Sequence, residues 1–567
     1  MSKYLLACSI GPIQGFIAAA RRTRDFWFGS YLLSEISRAA ASVLPQSGLI
    51  FPASVRPDCA VANVILAEIE GDPKSAAASA RVAAIQCWQK QADQCYTQVQ
   101  NVVDCNVWQE QRDDAIVEFY SAWVPLNNDY AAARRRVMRL LGARKTLRDF
   151  PPATRAHPGR PKSSLDGARE TVWKDPATEV FSGKTQKLLR RARGEQLDIV
   201  GVVKRLGGGV HGFPSVARVA ADPWLRGVEK SDPSGFKSFV QVCHSLDRDT
   251  LAMLGSSWSQ YAAFPYDGIC VYRSRHAQWQ EETEDAEGIQ KVAAALLPLV
   301  RAHGEPEPYL AVLAADGDRM GRVIDHIRTV EEHRRFSSKL VDFAQQAGEI
   351  VRRHYGALVY SGGDDVLALV PVDTCVDCAR ELHDAFGAAT AGFPDQAGNP
   401  PTLSVGIAIA HFMEPLEDLF RYARAAESAA KDNGRDSLAV HVHPRSGAPL
   451  HYRERWNDEP DRKIMSWAEL LRDGILPDKT AYDLRRLAAE YAAWPDNTPK
   501  SRQALQEAIC ADALRLLRRK RTQASAAVFA KVEILVSQAR TAAEMEKVAN
   551  EILVARRISS ALKQAQG

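Results

Sequence analysis

Two apolar runs of strand length, Ala357-Leu358-Val359-Tyr360 and Val366-Leu367-Ala368-Leu369-Val370, are separated only by Ser361-Gly362-Gly363-Asp364-Asp365. So short a polar interruption forces the chain to reverse in a tight β-hairpin, with the glycines supplying the turn and allowing a phosphate-bearing ligand to approach closely. Adjacent carboxylates are costly together unless a divalent cation neutralises them, so the turn asks for Mg²⁺ or Mn²⁺ and a nucleotide. Upstream, the apolar run Tyr309 to Ala315 leads straight into Asp316-Gly317-Asp318. An acid ending one strand can meet acids on an adjacent hairpin. Asp316, Asp364 and Asp365 are therefore the candidate ligands of two cations. Asp318 is a fourth, open to a second reading as the cap of the following helix.

The elements around the hairpin repeat. Tyr4 to Ile10 reads as a strand, Gln14 to Val43 as an amphipathic helix, Leu49-Ile50-Phe51 and Val61 to Ile69 as strands, and Ser75 to about Val124 as helical. That is the βαββα opening of a ferredoxin-like unit. The second half is more complete: strand Tyr309 to Ala315, helix Thr329 to His354, the hairpin, helix Thr374 to Ala389, strand Thr402 to His411, helix Leu416 to Lys431 and strand Leu438 to Val442. The expected fold class is α+β, with two such units, a helical insertion and a C-terminal helical bundle signalled by the spacing of Leu484, Leu487, Tyr491 and of Val532, Leu535, Val536. The expected division is 1–222 for the first unit, with a basic insertion at about 130–200; 223–305 for a mixed linking segment; 306–446 for the second unit; and 447–567 for the bundle.

A chain of 567 residues is long enough for several domains. No apolar run reaches the roughly 18–20 residues of a membrane span, so no membrane association is expected. The short apolar stretch after Met1 reads as a first strand rather than a secretory signal. Ten scattered cysteines suit a reducing cytoplasm. Net charge is +4, but Arg134 to Arg193 holds 17 Lys or Arg against 5 Asp or Glu, leaving −8 for the rest. This asymmetry points to a polyanion partner, with a second basic run from Arg515 to Arg521.

A specific resemblance is carried by further blocks. The Gly362-Gly363-Asp364-Asp365 hairpin with Asp316-Gly317-Asp318 is similar to the palm of nucleotide cyclases. Ser9-Ile10-Gly11-Pro12-Ile13-Gln14-Gly15-Phe16-Ile17, the stretch Arg21 to Ser34, Gly201 to Leu206, Phe213 to Ala220, and Gly434 to His441 with Pro444 to Gly447 resemble the large subunit of type III CRISPR effector complexes in the Cmr branch. The resemblance implies two palm domains and an RNA-activated nucleotidyltransferase that joins ATP into cyclic oligoadenylates, using two Mg²⁺ or Mn²⁺ ions. Its implied partners are other Cmr-type subunits, crRNA and target RNA. It also implies that Gly362 and Gly363 cradle the nucleotide, that Lys431 and Arg435 reach its triphosphate, and that Ser30 faces it from the first palm. Phe26, Trp27, Phe28 and Tyr31 are expected to pack in the core rather than stack on bases.

The chain also departs from that pattern. Its His-Asp pair, His383-Asp384, falls within a helix rather than in a leading nuclease domain, so no DNA cleavage is expected. Cys375-Val376-Asp377-Cys378 is a pair without a second pair at zinc spacing, so no zinc is expected. Two other readings remain open: a catalytically silent scaffold that binds crRNA and target RNA, and a free-standing nucleotide cyclase.

Overall fold

The computed structural model describes residues 2–567 apart from 57–60, 115, 148–156, 179–180, 182, 208–211, 249, 284, 496 and 520–525. The first unit is built on β1 (Lys3–Gly11), β2 (Leu49–Phe51), β3 (Val64–Glu70) and β4 (Glu118–Pro125). Their order is β2-β3-β1-β4 with every pairing antiparallel. Helix α1 (Thr23–Ser42) follows β1 and α2 (Pro73–Val99) follows β3, which completes a βαββαβ unit.

Two sequence expectations change here. The pattern from Gln14 to Val43 is broken into a short helix, Gln14–Ala18, and α1. The break is held by the buried Lys204 ammonium, which donates to the carbonyl oxygens of Phe16 and Ala19. The run read as helical from Ser75 to Val124 ends its first helix at Val99, restarts at Cys105–Asp113 under an Asp104 cap, and then extends as β4. Phe119, Tyr120, Trp123 and Val124 supply the aromatic and β-branched side chains that favour that strand.

The second unit contains β5 (Tyr309–Gly317), α4 (Val330–Arg353), β6 (Ala357–Ser361), β7 (Val366–Val370), α5 (Cys375–Thr390), β8 (Leu403–His411), α6 (Leu416–Lys431), β9 (Ser437–His443) and β10 (Leu450–Arg455); the preceding α3 (Tyr130–Thr146) belongs to the first unit. The sheet order is β10-β9-β8-β5-β7-β6. Four of these strands, β8-β5-β7-β6, repeat the order of the first unit. β9 then joins parallel to β8 through α6, and β10 adds antiparallel to β9. β10 lies in a stretch read from sequence as the start of the helical tail. The expected C-terminal helices follow it, from Pro460–Arg472 to Ala542–Gln566.

β5 is buried on both faces, which is why it reads as an unbroken apolar run. Ala311, Leu313 and Ala315 join the core shared with α4 and α5, while Leu310, Val312 and Ala314 join the core shared with α6. Between the units lie helices Val216–Ser231, Pro233–His244 and Ala286–His303. Among the described residues no helix is long and apolar enough to cross a membrane.

The two units share a packed boundary. Ser337 on α4 accepts from the Ala53 amide at 2.8 Å, and Arg334 donates to the Leu49 carbonyl at 2.8 Å. The Tyr130 hydroxyl meets His333 Nδ1 at 2.5 Å, and Phe26 on α1 stacks on Phe420 of α6 at 3.9 Å between centroids. Arg134 is part of this boundary: it is 2% exposed and donates to the Ile327 carbonyl at 3.1 Å. It therefore departs from its sequence reading as a surface contact for a polyanion. Elsewhere in the basic insertion, Arg160 bonds Asp104 and the Trp173 carbonyl, and Arg191 lies over Phe181. Arg135, Arg136, Arg139 and Lys145 are exposed on α3. Residues 148–156, Arg148 among them, lie outside the described residues, as do Lys520 and Arg521 of the second basic run.

Burial pushes the His333 imidazole down to about 4, and Arg134 adds to the shift. With the folded value below the unfolded one of 6.5, the unfolded chain binds more protons between those values, so stability is lost as pH falls from about 6.5 to 4. Replacing His333→Gln should make the acid-side decline of Tm shallower over that window, as read by thermal denaturation; an unchanged decline would mean that the boundary does not contribute to it.

Candidate active site

The hairpin turn closes with the Gly362 amide donating to the Asp365 carbonyl at 2.9 Å. Gly363 sits at φ +94°, a region that favours glycine, and a Cβ on Gly362 would lie 1.7 Å from the Tyr360 hydroxyl. The register pairs Ala315 with Val366, and the Gly317 amide donates to the Asp364 carbonyl at 3.2 Å. The end of β5 and the turn are thus stitched together, and Asp316, Asp364 and Asp365 come to the same end of the sheet.

Their electrostatics follow from that crowding. Asp364 is half-buried, and burial, followed by repulsion from Asp316 and Asp365, pushes its carboxyl up to about 7. Asp316 is also raised, because burial outweighs its contact with Lys431. A third wall is α6. Lys431 Nζ pairs with Asp316 and, at 2.6 Å, with Glu427. Arg424 takes both oxygens of Asp365, at 3.1 and 3.3 Å, and meets Glu427 at 2.8 Å. The helix reaches the strands because β8 carries Gly406, where a Cβ would lie 2.0 Å from the Glu427 amide nitrogen.

The donor set fits a hard divalent cation, since it is made of oxygens whose mutual repulsion a cation would relieve. Among the described residues no group of three or more acidic, imidazole or thiol side chains is placed to hold a metal ion. A magnesium-type site can take only one or two carboxylates, with water and substrate phosphate oxygens in the remaining positions.

Asp318 occupies a different environment. Its side chain is 2% exposed and accepts from Thr402 Oγ1 at 2.8 Å, Ser404 Oγ at 2.9 Å and the Asp436 amide at 3.0 Å, with Arg435 at 3.5 Å. These bonds occupy both oxygens and tie β5 to β8 and to the loop after α6. The helix beginning at Met320 is capped by Arg319 without a side-chain bond, so Asp318 is not its cap. In that loop Asn433, Gly434, Arg435 and Asp436 all have positive φ, from 46° to 110°. Arg453 donates to the Asp432 and Asn433 carbonyls, and His383 Nε2 meets Asp436 at 2.9 Å. His383 also packs against Trp456, so the His383-Asp384 pair is built into this support. Lys431 and Arg435 thus stand at the carboxylate end of the sheet, each held by an aspartate.

Ser30 is buried on α1 and borders a cavity of about 420 Å³ between the two units, whose lining also includes Tyr31, Tyr360 and Ser361. The buried Ser361 hydroxyl has no hydrogen-bond partner in the described structure. Of the aromatic group, Phe26 and Phe28 are core, whereas Tyr31 is 44% exposed, against the expectation that it packs inside. Cys375 and Cys378, on α5 itself, are fully buried in the core. The residues that sequence reasoning missed are Arg424 and Glu427. Their spacing from Lys431, i+3 and then i+4 along one helix, was the available signal.

Comparisons with known proteins find likenesses in both units. Residues 309–439 match the family model "Cas10/Cmr2, second palm domain", and residues 5–112 match "CRISPR-associated protein Cmr2, N-terminal". The segment that carries the carboxylates thus resembles the second palm domain of Cas10/Cmr2 proteins, and the first unit resembles the N-terminal part of Cmr2. Among curated proteins its likeness is to Cmr2 subunits of CRISPR systems. It is 31% identical over 192 residues to the CRISPR system Cmr subunit Cmr2 of Pyrococcus furiosus, covering 29% of this chain and 22% of the relative. It is 32% identical over 87 residues to that of Saccharolobus solfataricus, covering 12% and 8%. The aligned part thus spans about a fifth or less of the curated relatives' length. In fold it is similar to a chain of the type III-B Cmr-beta complex in the apo state, at TM-score 0.63 and 13% identity over 90% of this chain and 77% of that one. The same complex bound to cognate target RNA matches at TM-score 0.63 and 14% identity, over 90% and 78%.

The two kinds of aspartate should separate in a stability measurement without divalent cations. Asp318→Ala leaves several buried donors unsatisfied and should cost about 3 kcal/mol. Asp365→Ala removes a partly exposed pair and should cost under about 1 kcal/mol. Urea unfolding in EDTA checks the order, and the reverse ranking would remove Asp318 from its anchoring role.

Proposed function

We propose that this chain is an RNA-activated nucleotidyltransferase that joins ATP into cyclic oligoadenylates, as the large subunit of a Cmr-type CRISPR ribonucleoprotein with crRNA and target RNA. The observation that carries the reading is the convergence of Asp316 with Asp364 and Asp365 beneath Lys431. The relatives' names and the Cmr-beta complex bound to target RNA support the same assembly. The four-part division expected from the sequence belongs to this proposal.

Asp316, Asp364 and Asp365 would hold two Mg²⁺ or Mn²⁺ ions, which when bound acidify an attacking ribose hydroxyl and neutralise the leaving pyrophosphate. Gly362 and Gly363 present backbone without side chains, so a triphosphate can lie against the turn. Lys431 exchanges its carboxylate partner for phosphate, and Glu427 keeps its ammonium oriented. Arg435 adds a second cation from the loop that Asp318 anchors. We assign Asp318 to this anchoring role rather than to metal ligation, because both its oxygens are engaged. Ser30, on the opposite wall of the cavity between the units, would orient the second nucleotide.

Replacing Asp364 and Asp365 together with Ala in the assembled complex should lower ATP turnover by about a hundredfold or more, with assembly on target RNA intact. Lys431→Ala should raise KM for ATP more than it lowers kcat. Mass spectrometry of products formed with ATP, Mg²⁺ or Mn²⁺ and matched RNA reads both. Full turnover without the hairpin acids would remove this site, and absence of products from the unaltered complex would favour the scaffold reading.

RNA affinity provides a separate test. Reversing Arg135, Arg136 and Arg139 on the exposed face of α3 should weaken RNA association and reduce its log–log salt slope by roughly 0.7–0.9 per lost contact. Turnover per occupied complex should stay near normal. An unchanged slope would dissociate this face from RNA.

A further inference from the structure

Helix α6 meets the carboxylates with three charged side chains in one row. Arg424, Glu427 and Lys431 stand at i, i+3 and i+7, a spacing that places them on one face of the helix. The row gives two of the three candidate acids a cation of the protein's own: Lys431 pairs with Asp316, and Arg424 with Asp365. The second contact is a fork. Arg424 Nη1 donates to Asp365 Oδ1 at 3.1 Å and Nη2 to Oδ2 at 3.3 Å, so one guanidinium covers both oxygens. A divalent cation on Asp365 needs those same oxygens. Guanidinium and ion therefore compete for one carboxylate.

Asp318 also has both oxygens engaged, yet the two aspartates differ in what release would cost. The partners of Asp318 are two hydroxyls and an amide around a side chain only 2% exposed, and its withdrawal would leave buried donors without an acceptor. Asp365 is 27% exposed and Arg424 43%, both measured on the side chains. A pair that open is worth about fivefold or less in an equilibrium, which a doubly charged ion can outweigh. Nor would release strand the arginine. Its Nη1 already meets Glu427 Oε2 at 2.8 Å, so the guanidinium can leave Asp365 and keep a carboxylate. Glu427 holds Lys431 at 2.6 Å through its other oxygen.

We propose that Arg424 is an exchangeable cation of this site: in the metal-free protein it holds the Asp365 oxygens that a divalent ion takes, and entry of the ion moves it to Glu427. The inference rests on the proposed reading of these acids as metal ligands. Mn²⁺ titration of the full chain in about 0.15 M salt, without nucleotide or RNA, tests it through the loss of the free-ion electron paramagnetic resonance signal. Arg424→Gln should bind Mn²⁺ about fivefold more tightly than the unaltered chain. Arg421→Gln, which removes the same charge from the same helix but from a pair with Asp418, should leave the affinity unchanged. In a double-mutant cycle the gain from Arg424→Gln should vanish when Asp365→Ala is also present. A gain that persists there, or an equal gain from Arg421→Gln, would assign the effect to net charge and overturn the exchange. Asp365-dependent Mn²⁺ binding that Arg424→Gln weakens or leaves unchanged would make the arginine a support of Asp365, overturning the exchange while the metal reading stands. No Asp365-dependent binding in either protein would overturn the metal reading and the exchange with it.

Discussion

β5 is enclosed on both faces, and most of the second unit follows from that enclosure. A strand with cores on either side has no room for a charged residue until it leaves the sheet, so its first acids, Asp316 and Asp318, appear where the apolar run ends. β7 and β8 flank it, which places the hairpin turn and the start of β8 beside those acids. The acids then divide by environment. Asp318 turns into protein and is satisfied by hydroxyls and an amide, while Asp316 stays at the opening beside Asp364. Two carboxylates two residues apart thus acquire different environments, one enclosed by hydrogen bonds and one paired with Lys431 at the opening.

The opening is lined by alternating charge: Asp316, Lys431, Glu427, Arg424 and Asp365 form a continuous chain of contacts. Such a chain is adaptable, because each cation has a second acid to hold it if its first is taken. Glu427, with its side chain only 9% exposed, serves both Lys431 and Arg424 and is held below the usual carboxylate range by them despite its burial. The close approach at Gly406 keeps this acid within reach of both cations.

The second unit was legible in the sequence because its strands are buried and its helices long; helix Leu416–Lys431 has the predicted ends, and the other main elements differ by a residue or two. Edge strands were harder. β4 alternates only weakly in exposure, and β10 carries Arg453, Glu454 and Arg455, so neither shows the apolar run of a central strand. Charge counting found the basic insertion but could not separate cations that pack from cations that face water. Arg134, Arg160 and Arg191 bond protein carbonyls, and only contacts distant in sequence, such as Arg134 with Ile327, distinguish them from the exposed Arg135 and Arg136. The three hairpin and strand acids were readable from local pattern. Their dependence on α6 was not, since the approach of that helix is set by a glycine on another element.

α6 also links features that are far apart in the chain. Phe420 stacks on Phe26 of the first unit, and the last turn of the helix holds Asp316. A helix packed along its length against β8 moves more readily as a body than by bending. The contacts of α1 and α4 with the opposite unit and the hold of α6 on the strand acids thus belong to one continuous packing, because Phe420 and Lys431 stand on the same helix.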